Sequence, residues 1–129
     1  MFARDAASAA LGMRLVEVSP VRAVVAMTVR DDMLNGFAVA HGGIIFALAD
    51  TAFALACNDG TAVTLAAGAD IVFLRPVRAG QVLTATAAVR SRSGRSGVFD
   101  VTVSDEAGDP VAEFRGRSRR TDLAVRAEI

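Results

Sequence analysis

The sequence contains no lysine: all fourteen of its basic residues are arginine. Fourteen acidic residues balance them, so the formal net charge is zero. A neutral chain lacks the basic stripe with which a protein grips nucleic acid. The absence of lysine suits GC-rich coding as well as anion recognition. Cys57 is the only cysteine, which excludes a disulfide within the chain and gives no sign of export. His41 is the only histidine, and one His with one Cys cannot assemble a zinc site. No Gly-x-Ser-x-Gly elbow occurs, so a serine triad lacks support. Long apolar runs are missing too. The longest, Gly42 to Leu55, is interrupted by Asp50 and falls short of the roughly 17–25 residues of a membrane span. Met1 to Leu11 contains Arg4 and Asp5 and has no apolar core of the kind a signal peptide needs. The expectation is a soluble cytoplasmic protein with no nucleic-acid, membrane or metal partner.

What the chain does have is apolar content. Hydrophobic residues make up 53% of its 129 positions. That length is read as one domain, residues 1–129. A domain of this size buries only about two-thirds of its surface. Apolar surface is therefore left over, and a second copy of the chain is the ordinary way to cover it. A homo-oligomer, dimer or tetramer, is expected.

Ala3 to Leu11 is alanine-rich and reads as a helix ending at Gly12. Met13 to Val18 and Arg22 to Val29 read as strands joined by a Ser19-Pro20 turn. Asp31 to Phe37 is a connection with Asn35-Gly36 as its turn signal. One long helix follows, Gly42 to Cys57, closed by Asn58-Asp59-Gly60. Four further strand-like runs come after it: Val63 to Phe73, Gln81 to Arg90, Gly97 to Ser104 and Val111 to Arg119. In the last, Ala112, Phe114 and Gly116 alternate with Glu113, Arg115 and Arg117, a half-buried antiparallel pattern. The long helix is apolar on every face, so it should be buried all round. One such helix with about six strands predicts an α+β fold, an antiparallel sheet wrapped around a central helix.

Asp50 stands in the middle of that helix. Its neighbours one turn away are Phe46, Ala47, Phe53 and Ala54, so nothing on the helix can pair with it. An ionised carboxylate buried without a partner is costly. Either a strand arginine such as Arg75 neutralises it, or it is held where a substrate arrives. His41-Gly42-Gly43 opens the helix. The first N–H groups of a helix have no internal partner, glycine allows a close approach, and the positive end of the dipole favours a developing oxyanion. The other reading is a turn that needs glycine for its shape. Gly42 and Asp50 lie about 12 Å apart at ~1.5 Å per residue. Both cannot reach one reacting group from the same helix. If both are catalytic, two antiparallel copies of the helix must share a site. Cys57 lies near the helix C-terminus, where the dipole disfavours a thiolate, and reads as a core residue.

The run Asn35-Gly36-Phe37-Ala38-Val39-Ala40-His41-Gly42-Gly43, then Phe46-Ala47-Leu48-Ala49-Asp50-Thr51-Ala52-Phe53-Ala54 and Ala56-Cys57-Asn58, closely resembles the hotdog thioesterases of the phenylacetic-acid degradation group. Asp70 to Pro76 and Phe114-Arg115-Gly116 are similar as well. The resemblance implies a hotdog fold, dimerised through a continuous sheet and paired again into a tetramer. It implies an acyl-CoA substrate, with phenylacetyl-CoA and its ring-hydroxylated forms foremost. Asp50 would be the family's carboxylate, as nucleophile or as base for water. Gly42 would polarise the thioester carbonyl through its N–H, Asn35 would stand near that carbonyl, and His41 would shape the site. No metal or redox cofactor is implied.

Coenzyme A carries several phosphate charges, which arginine binds well. Gly43, Arg92, Arg95 and Arg117 are candidates for holding it, within the clusters Arg90, Arg92, Arg95 and Arg115, Arg117, Arg119, Arg120. The alternative for each arginine is a solvated strand edge or turn. One departure from relatives concerns water. Leu65-Ala66-Ala67-Gly68 offers no hydroxyl, Thr64 is only nearby, and Thr51 points roughly 100° away from Asp50 around the helix. Two rival functions remain. A hotdog dehydratase would use His41 with the partner's Asp50, but the dehydratase signatures with Pro near the His are absent. A non-catalytic acyl-CoA-sensing module would need an attached DNA-binding region, for which the chain has no room.

Overall fold

The computed structural model describes residues 1–58, 60 and 62–124. Its centre is a single 16-residue helix, α2 (Gly42–Cys57), preceded by a short helix α1 (Ala6–Ala10). Six strands, β1 (Arg14–Ser19), β2 (Arg22–Thr28), β3 (Ala62–Phe73), β4 (Val82–Ser93), β5 (Ser96–Ser104) and β6 (Pro110–Ala124), form one sheet. Their spatial order is β1-β2-β4-β5-β6-β3, and every neighbouring pair is antiparallel. This is the hotdog arrangement, and the bounds of α2 coincide with those read from the sequence.

The sheet can close on the helix because its inner face mixes bulky and very small residues. Ala23, Ala85, Ala87 and Ala112 are fully buried beside Leu48, Ala49, Ala52 and Ala56 of the helix. Phe53 stacks at a tilt on Phe99 and Phe114, with ring centroids 5.7 and 5.8 Å away. Phe46 meets Phe114 edge-on at 5.3 Å. Gly116 is the position that lets Phe53 lie there: a Cβ at Gly116 would stand 2.7 Å from the ring. Close packing of this kind tolerates almost no added volume.

Three expectations need correction. The amino-terminal helix does not run from Ala3. Residues Phe2–Arg4 form one 3-10 turn, and Asp5 then caps α1, accepting the Ser8 N–H. The last strand extends beyond Arg119 to Ala124. Most importantly, α2 is not buried on all sides in one chain. Gly43 is exposed, and Phe46, Ala47, Asp50 and Ala54 are only half-buried. These residues follow the three- and four-residue spacing of one helix face, so the uncovered part is a stripe. At the C-terminus, Asn58 caps the helix with its side chain, donating to the carbonyls of Ala54 and Thr64 at 2.9 and 3.0 Å and accepting the Thr64 N–H at 2.8 Å. Asp59, part of the expected stop signal, lies outside the described residues.

The edges of the sheet are β1 and β3. β3 is twelve residues long, and Leu65, Val72 and Phe73 on it, with Leu74 just after, remain about half-exposed. A long apolar edge is a template for pairing with another strand. Among the described residues, no helix is long and apolar enough to cross a membrane.

Candidate functional site

The start of α2 is held open by its own cap. His41 has extended backbone, and its Nδ1 accepts the Gly43 N–H at 3.0 Å. The hydrogen therefore sits on Nε2 when the ring is neutral. The Gly43 N–H is engaged in this bond, and Gly43 itself is exposed at the helix start. The His41 N–H goes to the Met33 carbonyl at 2.8 Å and the Ala40 N–H to Val77 at 2.7 Å, anchoring the loop on both sides. Gly42 is the first helical residue, where an N–H has no acceptor within the helix.

Side chains at 42 and 43 would be crowded, though only by neighbouring rings that can shift. A Cβ on Gly42 would lie 3.0 Å from the Phe73 ring, and one on Gly43 would lie 3.2 Å from His41 Nδ1. Phe73 thus closes over the helix start. The groove beside it, of about 350 Å³, is lined by Asn35, Val39, Gly42, Ile45, Phe73 and Leu74, among others. Asn35 is fixed by an Asx turn: its Oδ1 accepts the Phe37 N–H at 2.8 Å and more weakly the Val39 N–H at 3.4 Å. The structure therefore brings Asn35 and Gly42 to one groove, with His41 adjoining. Phe73 was not singled out as a site residue; its closeness to Gly42 depends on a long-range contact that the sequence does not display.

Asp50 is not in that groove. It lies two turns further along α2, half-buried, and among the described residues it forms no ion pair. Arg75 does not neutralise it; that guanidinium reaches Asp109 instead, at 3.2 Å. The carboxyl of Asp50 is held above the usual carboxylate range, chiefly by burial and then by the negative charge of Asp5. A half-buried carboxyl that still reaches solvent is placed as proton transfer or nucleophilic attack calls for.

Beside Asp50 lies a contact that the sequence reading missed. Asp5 accepts both the Ser8 N–H (2.9 Å) and the Ser8 hydroxyl (2.6 Å). Ser8 Oγ is 3.2 Å from Thr51 Oγ1, and the Thr51 hydroxyl donates to the Ala47 carbonyl at 2.9 Å. Asp5 immediately before an alanine-rich run is an N-cap signal and could have located the cap.

The arginines fall in two places. Arg92 and Arg95 belong to the β4–β5 hairpin and line a shallow polar hollow with Arg120, Ser96 and Ser118. Arg95 is paired with Asp122 at 2.6 Å. Arg117 lies on the outward face of β6, paired with Asp70 at 2.9 Å and packed over Gly68. Arg117 does not line the hollow. Cys57 is buried, as a core residue should be.

An antiparallel sheet wrapped around one long helix is the fold of the hotdog thioesterases, and the comparisons agree on that class. A sequence model of the thioesterase superfamily matches residues 37–112, more than half of the chain. The acyl-coenzyme A thioesterase PaaI of Escherichia coli is 44% identical over 128 residues, covering 99% of this chain and 91% of that protein. A Deinococcus radiodurans protein described as a putative esterase is 40% identical over 115 residues, covering 87% of this chain and 77% of that protein. The solved E. coli PaaI structure superposes with a TM-score of 0.94, covering 98% of this chain and 91% of that one at 44% identity. The Thermus thermophilus protein TT0310 follows at a TM-score of 0.87 and 40% identity, covering 92% and 99%. The chain belongs to the thioesterase superfamily, a class of thioester hydrolases.

Proposed function

We propose that the protein hydrolyses acyl-CoA thioesters, releasing a free acid and coenzyme A, with phenylacetyl-CoA and its ring-hydroxylated forms as preferred substrates. The observation behind this reading is Asp50, half-buried and without an ion pair among the described residues, on the central helix of a thioesterase-superfamily chain. The acyl group is suggested by the E. coli relative, a protein of the phenylacetic acid degradation operon.

The chemistry follows from the two separated halves of the site. Gly42 and Asp50 are eight residues apart on one helix, about 12 Å at ~1.5 Å per residue. One thioester needs an oxyanion donor and a nucleophile or base within roughly 3 Å each. The halves therefore meet when two chains lie antiparallel, with the half-buried stripe of α2 and the apolar edge of β3 covered by the partner. In that assembly the Gly42 N–H of one chain stabilises the oxyanion, with Asn35 beside the carbonyl. Asp50 of the other chain attacks the carbon or takes a proton from water. In the first case the C–S bond breaks, the thiolate of coenzyme A leaves, and water then hydrolyses the acyl–Asp50 anhydride to the free acid; in the second the deprotonated water adds to the carbon and the C–S bond breaks to release the same thiolate and acid. Arg92 and Arg95 lie at the C-terminal end of α2, in the β4–β5 hairpin, and suit the phosphates. A dimer or tetramer is required.

The test is thiol release measured across a panel of acyl-CoAs, arylacetyl, benzoyl and straight-chain. Hydrolysis fastest for arylacetyl-CoA supports the reading. No thiol release from any acyl-CoA, with a hydrated product from an enoyl-CoA instead, would assign the protein to the dehydratase class.

A further inference from the structure

Phe73 is the last residue of β3, and its side chain has no part in the reaction as described so far. The ring nevertheless packs on the start of α2. Its Cζ, Cε2 and Cε1 atoms stand 3.0, 3.3 and 3.5 Å from where a Cβ on Gly42 would be. Pairing at a sheet edge engages backbone groups, so the ring is left to the groove that it lines with Asn35, Gly42 and Ile45. It is 49% exposed, and among the described residues it meets no other aromatic ring. Part of the ring is therefore spent on the helix start, and part is open to the groove.

The groove, of about 350 Å³, is mostly apolar, with Val39, Ile45 and Leu74 beside Phe73. Its polar groups are few, and several are engaged. Asn35 Oδ1 accepts the Phe37 and Val39 N–H groups, which leaves the amide NH2 as its donor. The Arg75 guanidinium reaches Asp109. The Asn35 NH2 and the Gly42 N–H remain, on residues that line one groove. Donors so placed suit a carbonyl oxygen on which charge develops. The other walls suit no polar group. The pantetheine arm of coenzyme A carries amides, and burying an amide against apolar walls without a partner is costly. An acyl group carries no such penalty, and it is the part of the substrate that matches the groove.

We infer that Phe73 is a specificity-determining residue, the wall against which the acyl group lies when Gly42 and Asn35 hold its carbonyl, and that its ring selects a flat aromatic acyl group over a flexible aliphatic one. This rests on the proposed acyl-CoA hydrolase reading and gives its acyl preference a structural cause. Aromatic rings in offset or edge-to-face contact attract beyond what their buried area alone supplies. A straight chain gains only the area effect and loses rotamer freedom when it is confined. The position of the ring adds a length requirement. Phe73 packs on the same residue that offers the N–H, so only a ring joined close to the carbonyl lies alongside it. An arylacetyl group meets that requirement.

The test replaces Phe73 by Leu and by Met, which keep apolar bulk without a ring, and by Tyr, which keeps the ring. Two readouts are taken on the parent and each variant. One is kcat/KM for phenylacetyl-CoA relative to hexanoyl-CoA. The other is the ratio of Kd values for unreactive ketone analogues of the same two thioesters, in which a methylene separates the sulfur from the carbonyl. The second does not depend on turnover. The expected result is that F73L and F73M weaken the preference for the aromatic group about two- to tenfold in both readouts, the range that one aromatic pair contributes, while F73Y retains it. A ring that merely supports Gly42 would lower both substrates together. Unchanged ratios in a folded F73L or F73M protein therefore overturn the inference, and so does an F73Y protein that loses the preference as fully as F73L. If the parent releases no thiol from either thioester but the analogue ratio falls in F73L, Phe73 reads the acyl group and it is the hydrolytic reading that fails.

Discussion

The Nδ1 of His41 accepts the N–H of Gly43 at 3.0 Å, so the residue before α2 caps it and leaves the Gly42 N–H as the unoccupied donor at the helix start. Loss of an N-cap side chain costs about 1 kcal/mol. His41→Ala should therefore lower Tm by about 2–5 °C in a domain of this size, and it should lower kcat because the Gly42 N–H loses its fixed direction. His41→Asn, which can cap in the same way, should recover most of the Tm. Thermal melts and steady-state kinetics on the same preparations check this. An Ala variant that melts with the parent would show the cap to be idle.

Asp50 separates stability from function. Its native carboxyl titrates above the unfolded value, mainly through burial. The sign follows: the native state binds the extra proton, so stability is fullest below the unfolded pKa and is lost as pH rises through the native one. Once ionised, the half-buried group is a burden on the fold. Asp50→Asn should keep or raise Tm at pH 7, while cutting kcat by at least about 10². Chemical denaturation at pH 4 and pH 7 gives the stability arm. A folded Asp50→Asn protein with near-normal turnover would make Asp50 structural.

The bounds of α2 were legible because two glycines, an unbroken apolar run and Asn58 mark them locally. The strands were legible from their alternation and the turn residues between them. Strand order was not: β3 follows α2 in sequence yet pairs with β6, at the edge, and only long-range packing decides that. For the same reason the stripe of α2 from Gly43 to Ala54 looked like core, since an apolar residue awaiting a second chain has the same sequence signature as one buried within the first. Asn35, His41 and Gly42 could be placed together from their closeness in sequence. The partners of Arg75, Arg95 and Arg117 could not, because a long side chain chooses its partner in space. The hydrogen bond from Gly43 to His41 Nδ1 is likewise one that spacing alone does not predict.

The arginines of the β4–β5 hairpin give a prediction about substrate length. Arg92, Arg95 and Arg120 meet at one hollow. Arg92→Gln combined with Arg95→Gln should raise KM for an acyl-CoA about tenfold, the equivalent of ~1.4 kcal/mol, with kcat unchanged. The same acyl group on N-acetylcysteamine, which lacks the nucleotide and its phosphates, should show no change. Arg117→Gln, away from the hollow and paired with Asp70, should have the smaller effect on both. Equal losses for the two thioesters would place the arginines in folding and not in recognition.

The last prediction tests the separation of Gly42 from Asp50 directly. Two variants are mixed: Asp50→Asn, and Gly42→Pro, which removes the N–H yet is tolerated in a first helical turn. Each parent dimer lacks one essential group in both of its sites. In a mixed dimer one site combines an intact Asp50 from one chain with an intact Gly42 from the other, and the second site carries both defects. Subunit exchange, followed by mass spectrometry of isotopically labelled chains, should restore activity to at most half of normal per mixed dimer. Light scattering should find no active monomer. The conditions are that Gly42→Pro folds and that exchange is seen. If activity still does not return, then Gly42 and Asp50 do not meet across an interface. The eight residues between them on one rigid helix would then leave them about 12 Å apart, too far to act on the same carbonyl, and one of the two would have to leave the mechanism.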